Sequence, residues 1–331
     1  MQYRTLGKTD MQVSVICQGG WSIVGGFTWG EQDRRDSIEA LRAALDAGIN
    51  FFDTAEGYGN GESEELIAEA LADAAKDVVL ASKVSQGNLH PEKLRRHCEQ
   101  SLRRLRRDTI DLYQIHWPNP DIPLDDTLEA MQRLKEEGKI RAIGVSNFGA
   151  AYIADDAMKT ARVESNQVAY SLLWRAVEHE IQPLCHDSEV SILCYSPICQ
   201  GLLTGKFRSP EDVPADRART RLFSKDRPHS RHDEPGCEKE TFEAIGRIEE
   251  IARSVGEPMA DVSLAWLLTR PAVTSVIAGG RNAEQVRQNA RAGDLKLSES
   301  VVNDLTEATE TVKEKIGTNA DMWQTDSRME P

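Results

Sequence analysis

Eight short apolar runs, spread along the whole chain and separated by amphipathic stretches, restrict the fold more than any other feature of the sequence. They cover residues 13–17, 50–53, 78–83, 111–116, 140–145, 163–167, 191–195 and 275–278. Runs of this length suit strands buried on both faces. Between them, Ile38, Leu41 and Leu45 fall on one helical face that Gly48 ends, and Leu94, Cys98, Leu102 and Leu105 make a second stripe. Leu128, Met131 and Leu134 form a third, closed by Gly138, and Ile245, Ile248 and Ile251 mark a late helix. Strand–helix alternation predicts parallel strands joined by helical crossovers, and eight such units predict a closed (β/α)8 TIM barrel. An open doubly wound sheet would carry G-x-G-x-x-G after its first strand, and Gly19-Gly20-Trp21-Ser22 does not fit. A turn signal within residues 3–13 predicts an N-terminal β-hairpin at the barrel bottom. Residues 205–237, after the seventh strand, are rich in Pro, Arg, Asp and Ser and predict a long loop of lid or binding type. The 331 residues fit one such barrel, so a single domain over 1–331 is expected, with a mobile polar tail from about 314.

Charge narrows the partners. Lys and Arg total 40 against 54 Asp and Glu, a formal net charge of −14. That argues against nucleic acid and against an anionic membrane surface. Arg95, Arg96, Arg103, Arg104, Arg106 and Arg107 read as the solvated face of one helix. The cysteines Cys17, Cys98, Cys185, Cys194, Cys199 and Cys237 show no C-x-x-C and no Cys/His ligand spacing, so no metal is expected. The first residues open no apolar stretch and no run of ~18 apolar residues occurs, which reads as a cytoplasmic protein.

In a barrel, function collects at the C-terminal ends of the strands. Asp53, Lys83 and His116 end the second, third and fourth runs, and Tyr58 follows closely on Asp53. Tyrosine titrates near ~10 and is a weak acid at neutral pH. A Lys83 ammonium beside it would lower that pKa, and Asp53 would hold Lys83 ionised and oriented. His116 would hydrogen-bond the phenol or a substrate oxygen. Such a set suits proton delivery to an oxygen that gains charge during hydride transfer. Each residue alone has an ordinary reading as an ion pair, a packed aromatic or a structural histidine; their coincidence at successive strand ends carries the weight.

At these residues the chain resembles the aldo-keto reductases, in the bacterial-type branch related to potassium-channel β subunits. Phe52-Asp53-Thr54-Ala55-Glu56-Gly57-Tyr58-Gly59, Ala81-Ser82-Lys83, residues 110–118 and residues 138–148 match family signatures, and the resemblance covers nearly the whole chain. It implies a catalytic tetrad of Asp53, Tyr58, Lys83 and His116, with Tyr58 as general acid in reducing aldehydes or ketones to alcohols. It implies NADP(H), rather than NAD(H), bound without a Rossmann domain. Ser146, Asn147 and Gln167 would hold the nicotinamide carboxamide, and Tyr195 would stack on its ring. Ser196, Pro197, Ile198, Gly201, Leu202, Gly205 and Lys206 would form the pyrophosphate side. Gly279 and Arg281 would meet a 2′-phosphate, and Gln285 and Asn289 the adenosine. Trp21, Trp29 and Trp117 are expected to wall the substrate pocket, with Trp174 and Arg175 as further candidates. Glu56 would disfavour acidic substrates if it pointed into that pocket, and Cys199 would tune the pocket or sense redox state. The implied partner is a small carbonyl compound whose identity is not legible, and neither is the oligomeric state. A nicotinamide-nucleotide-binding regulatory or sensor subunit with little turnover is the alternative that the same resemblance carries.

Overall fold

The computed structural model describes residues 1–74, 77–154 and 158–331. Eight parallel strands close into a barrel: β3 (Ile16–Gly19), β4 (Phe51–Asp53), β5 (Val79–Val84), β6 (Ile110–Ile115), β7 (Ile140–Ser146), β8 (Val163–Ala169), β9 (Ser191–Tyr195) and β10 (Val273–Gly279). They neighbour one another in chain order, and β10 closes the ring on β3, with Ile16 opposite Val276. This is the TIM barrel that the alternation of runs predicts.

The first strand begins differently from the expectation. Residues 13–17 do not form one strand. Val13 and Ser14 belong to β2 (Gln12–Ser14), which pairs antiparallel with β1 (Tyr3–Thr5) in the N-terminal hairpin. The break has a polar cause. The Ser14 amide donates to the Asn50 side chain at 2.7 Å, and the Ser14 hydroxyl donates to the Ile16 carbonyl at 2.7 Å. Side-chain partners thus replace ladder partners, and the chain turns before entering the barrel.

The hairpin seals the bottom of the barrel. Leu6, Met11 and Val13 share a buried cluster with Cys17, Phe51, Val79, Ala81, Leu112, Ala142, Leu193 and Ile277, one side chain from most of the strands. Strand side chains alternate in direction. Phe51 therefore belongs to this interior layer, while Phe52 and Tyr113 join the larger cluster between sheet and helices.

The helices are α1 (Arg34–Asp46), α2 (Glu62–Ala70), α3 (Pro91–Leu105), α4 (Leu124–Glu136), the short turns α5 (Ala150–Tyr152) and α6 (Met158–Thr160), α7 (Ile181–Asp187), α8 (Glu238–Val255), α9 (Met259–Leu267), α10 (Ala283–Ala292), α11 (Glu299–Ala308) and α12 (Glu310–Ile316). The stripes read from the sequence lie on α1, α3, α4 and α8. Arg95, Arg96 and Arg103 of α3 are exposed, as expected, while Arg104 is half-buried. Arg95 makes a two-pronged contact with Glu137 at 2.6 Å, and Arg104 reaches the fully buried Glu64 at 2.6 Å.

Two segments expected to be irregular are packed. In the loop after β9, Ala218 and Leu222 are fully buried. The polar tail, expected to be mobile, lies against the barrel with Met322 fully buried. The Arg221 guanidinium donates to the carbonyls of Ile316, Asn319 and Asp321 at 3.0, 2.7 and 3.0 Å. Trp174 donates to the Ala320 carbonyl at 3.2 Å, and Arg175 binds Glu178 and Glu310. Trp174 and Arg175 therefore anchor the C-terminal segment and are not pocket walls. No helix among the described residues is long and apolar enough to cross a membrane.

Candidate active site

A cleft of about 710 Å³ opens at the C-terminal ends of the strands. Lys83, last but one in β5, has no solvent exposure. Its ammonium donates to Asp53 Oδ1 at 2.5 Å, to the Thr54 carbonyl at 2.8 Å and to the Tyr58 hydroxyl at 3.2 Å. Three acceptors match the three N–H bonds of an ammonium, which makes its burial tolerable. Burial lowers the Lys83 pKa, but Asp53 and Tyr58 more than offset this, so the group is held charged.

Tyr58 comes from the turn after β4, which continues through Gly61 at φ +95. A Cβ at Gly61 would stand 2.6 Å from the Arg104 side chain, so the turn needs glycine there. The Tyr58 ring is edge-on to His116 at 5.7 Å and stacked on Trp21 at 6.4 Å. One expectation is reversed here. The net effect on the phenol is upward: burial raises its pKa, Lys83 opposes and Asp53 adds to the rise. The proton is therefore held on the oxygen. Burial and then Lys83 push the His116 imidazole down to about 3, so it is neutral at ordinary pH.

Asp53 has a further partner that the sequence reading missed. Gln114, fully buried on β6, donates to Asp53 Oδ2 at 3.1 Å. Gln167 donates to the same oxygen at 2.8 Å and to Gln114 Oε1 at 3.3 Å. A polar residue inside an apolar strand run was the available signal, because a buried amide requires partners.

Around this centre the residues expected to hold a dinucleotide are arranged along one cleft. Ser146 donates to the Gln167 carbonyl at 2.9 Å, Asn147 to the His116 carbonyl at 3.1 Å, and the Tyr195 hydroxyl to Asn147 Oδ1 at 2.8 Å. Ser196, Pro197, Ile198, Gly201, Lys206, Gly279, Arg281, Gln285 and Asn289 line the cleft, as do Trp21, Trp29 and Trp117. Leu202 does not; it is buried in the core between sheet and helices. Gly205 and Lys83 also lie outside the lining. Arg281 stands at the start of α10, whose N-cap Asn282 accepts from the Gln285 amide at 3.0 Å. Its guanidinium Nε donates to Gln32 at 2.7 Å, and a second nitrogen donates to the Glu31 carbonyl.

Glu56 points neither into the cleft nor to solvent. Its carboxylate accepts from the Ser85 amide at 2.8 Å and from Asn88 at 2.9 Å, and meets His97 at 2.6 Å. Burial raises its pKa, but these hydrogen bonds outweigh it and keep the carboxyl below its usual range. Cys199 is buried with its thiol pushed up to about 12, and the neighbouring Gln200 lines the cleft instead.

The cleft carries unmet polar capacity. Trp29 Nε1, both side-chain polar atoms of Gln200, Arg217 Nε, Arg219 Nε and the Ser22 hydroxyl are buried without partners. All belong to lining residues. Gly201, at φ +97, leaves room that a Cβ would fill at 2.8 Å from the Lys206 ammonium. Orphaned donors beside a glycine cradle and a lysine fit a phosphate-bearing ligand. Arg217, Arg219, Trp323 and Arg328 also line the cleft and were missed by the sequence reading. Among the described residues no cluster of His, Cys, Asp and Glu is suited to a metal.

The model of the aldo/keto reductase family matches residues 15–310. The chain is 33% identical to the aldo-keto reductase YhdN of Bacillus subtilis over 96% of each chain. It is 31% identical to the NADH-specific methylglyoxal reductase of Escherichia coli, covering 93% of this chain and 98% of that one. An aldo/keto reductase from Klebsiella pneumoniae, solved with NADP and acetate, superposes with a TM-score of 0.73 at 31% identity, over 93% of this chain and 95% of that one. The chain is an oxidoreductase that belongs to the aldo/keto reductase family.

Proposed function

We propose that the protein reduces aldehydes or ketones to alcohols with NADP(H), using Tyr58 as the general acid. The observation that carries this reading is the Lys83 ammonium, which donates at once to Asp53 and to the Tyr58 hydroxyl at the base of the cleft. The reduced nicotinamide, when bound, supplies the hydride.

This chain's own residues account for the rest. A carbonyl oxygen that gains negative charge needs a proton and donors already in place. Tyr58 keeps its proton because burial raises its pKa. When that proton leaves, the developing phenolate faces Lys83 at 3.2 Å, a contact that strengthens as charge builds. Neutral His116 offers an imidazole N–H to the substrate oxygen without adding a second charge. Asp53, fixed by Gln114 and Gln167, holds the ammonium in line.

Cofactor binding falls to Ser146, Asn147 and Gln167 at the nicotinamide, Tyr195 beneath its ring, Gly201 and Lys206 at the phosphates, and Arg281, Gln285 and Asn289 at the adenosine. The relatives differ in cofactor, one being named NADH-specific and another solved with NADP. Arg281 at the mouth of α10 supports the phosphorylated form, since a guanidinium pairs well with a phosphate.

The test is a fluorescence titration with NADPH and NADH, followed by NADPH oxidation with a panel of aldehydes, on the wild type and on Tyr58→Phe. Expected are tighter binding of NADPH and a loss of turnover in the variant of about 10²–10⁴-fold with cofactor affinity retained. Undiminished turnover in Tyr58→Phe would remove the acid assignment, and tighter NADH binding would reverse the cofactor choice.

A further inference from the structure

The mouth of the cleft gathers positive charge on loop residues as well as at Arg281. In a chain with a net charge of −14, Lys206, Arg217, Arg219 and Arg231 gather on one lining. Among the described residues none of them forms an ion pair with a carboxylate. Lys206 and Arg217 converge on Gly201, where a Cβ would lie 2.8 and 3.6 Å from their nitrogens. Together these two match the charge of a pyrophosphate diester.

Arg219 stands apart from that pair. A terminal nitrogen donates to Thr28 Oγ1 at 3.0 Å, and its guanidinium lies 5.8 Å from the Phe27 ring and 4.9 Å from the Trp323 ring. Trp323 and Tyr195 line the same cleft, and the indole lies close enough to the Tyr195 hydroxyl to act on it. Arg219 therefore belongs to the same end of the cleft as Tyr195 and the tail. Its Nε is buried without a partner. Burial and then Arg231 lower its pKa, with Asp216 opposing. A half-buried cation with an unmet donor and a like charge beside it favours an anion that can meet it. Arg328, the other arginine of this wall, differs: it lies over the Trp117 ring but is neutralised by Asp321 through contacts of 2.8 and 3.0 Å.

We propose that Arg219, with Arg231 on the same lining, selects carbonyl substrates that carry a carboxylate away from the reacting carbon. The inference rests on the reductase reading above and adds the substrate class to it.

The experiment compares kcat/KM for two matched pairs, succinic semialdehyde against butanal and 4-carboxybenzaldehyde against benzaldehyde, with NADPH as reductant. The wild type is expected to favour the carboxylate member of at least one pair, chiefly through KM. Arg219→Met should shrink that preference by about tenfold or more, the loss of one charge-assisted contact. Arg219→Lys, which keeps the charge, should retain part of it. Turnover of both members at equal efficiency in both pairs overturns the anion site alone. Turnover of none of the four aldehydes overturns the reductase reading as well. If Arg219→Met weakens NADPH binding and lowers turnover of both members equally, Arg219 is a cofactor phosphate ligand and the inference fails.

Discussion

At the scale of single residues, the site works through opposed shifts on neighbouring groups. Burial raises the Tyr58 phenol while it drives the His116 imidazole down to about 3. The sign of the resulting pH dependence follows. A general acid acts in its protonated form, which predominates below its pKa. Carbonyl reduction should therefore persist across neutral pH and decline only as pH rises towards the phenol's pKa, which lies above the ordinary value near ~10. A neutral His116 contributes no inflection near ~6.5, where an unperturbed histidine titrates. A kcat/KM profile with an acidic limb in that region would show that His116 titrates there. That Asp53, Tyr58, Lys83 and His116 come together was legible because each sits in or beside a short local signature near a strand end. Gln114 was not, although it touches Asp53, because an amide within an apolar run reads as part of the strand.

At the scale of elements, strand ends and the turn after β4 position Asp53, Lys83, His116 and Tyr58, and loops supply the cations. The turn after β9 places Gly201 at φ +97 against Lys206. Gly201→Ala introduces a Cβ at 2.8 Å from the Lys206 ammonium, and the flexible end of that side chain must move. The expected result is an NADPH Kd raised by about tenfold through one displaced charge-assisted contact. The left-handed backbone adds a stability loss of about 1–2 kcal/mol. Titration and a denaturation midpoint measure the two effects, and an unchanged Kd would remove Lys206 from the phosphate side. Arg217 and Arg219 were illegible for a general reason. An aperiodic loop carries no pattern that tells an inward arginine from an outward one, whereas a strand or helix does.

At the scale of the whole molecule, parallel strands buried on both faces are written as continuous apolar runs, which is why the barrel was legible. The hairpin break at Ser14 was hidden, since a hydrogen bond from its amide to the Asn50 side chain, and not hydrophobicity, sets it. The packing of the tail was hidden because composition reports solvent preference over a window and cannot see a single buried Met322. Deleting residues 318–331 removes the acceptors at Asn319 and Asp321 from Arg221, the acceptor at Ala320 from Trp174, and the buried Met322. The expected cost is about 3–5 kcal/mol, read from the urea midpoint. A shift of a few tenths of a kcal/mol would mean that the tail is loosely held in solution.

All six cysteines are free and buried, and burial raises the pKa of every one of their thiols. Aldehydes are electrophiles, and a thiolate is among the side chains that add to them most readily. A protein that gathers such compounds in its cleft thus presents them with no nucleophilic sulfur.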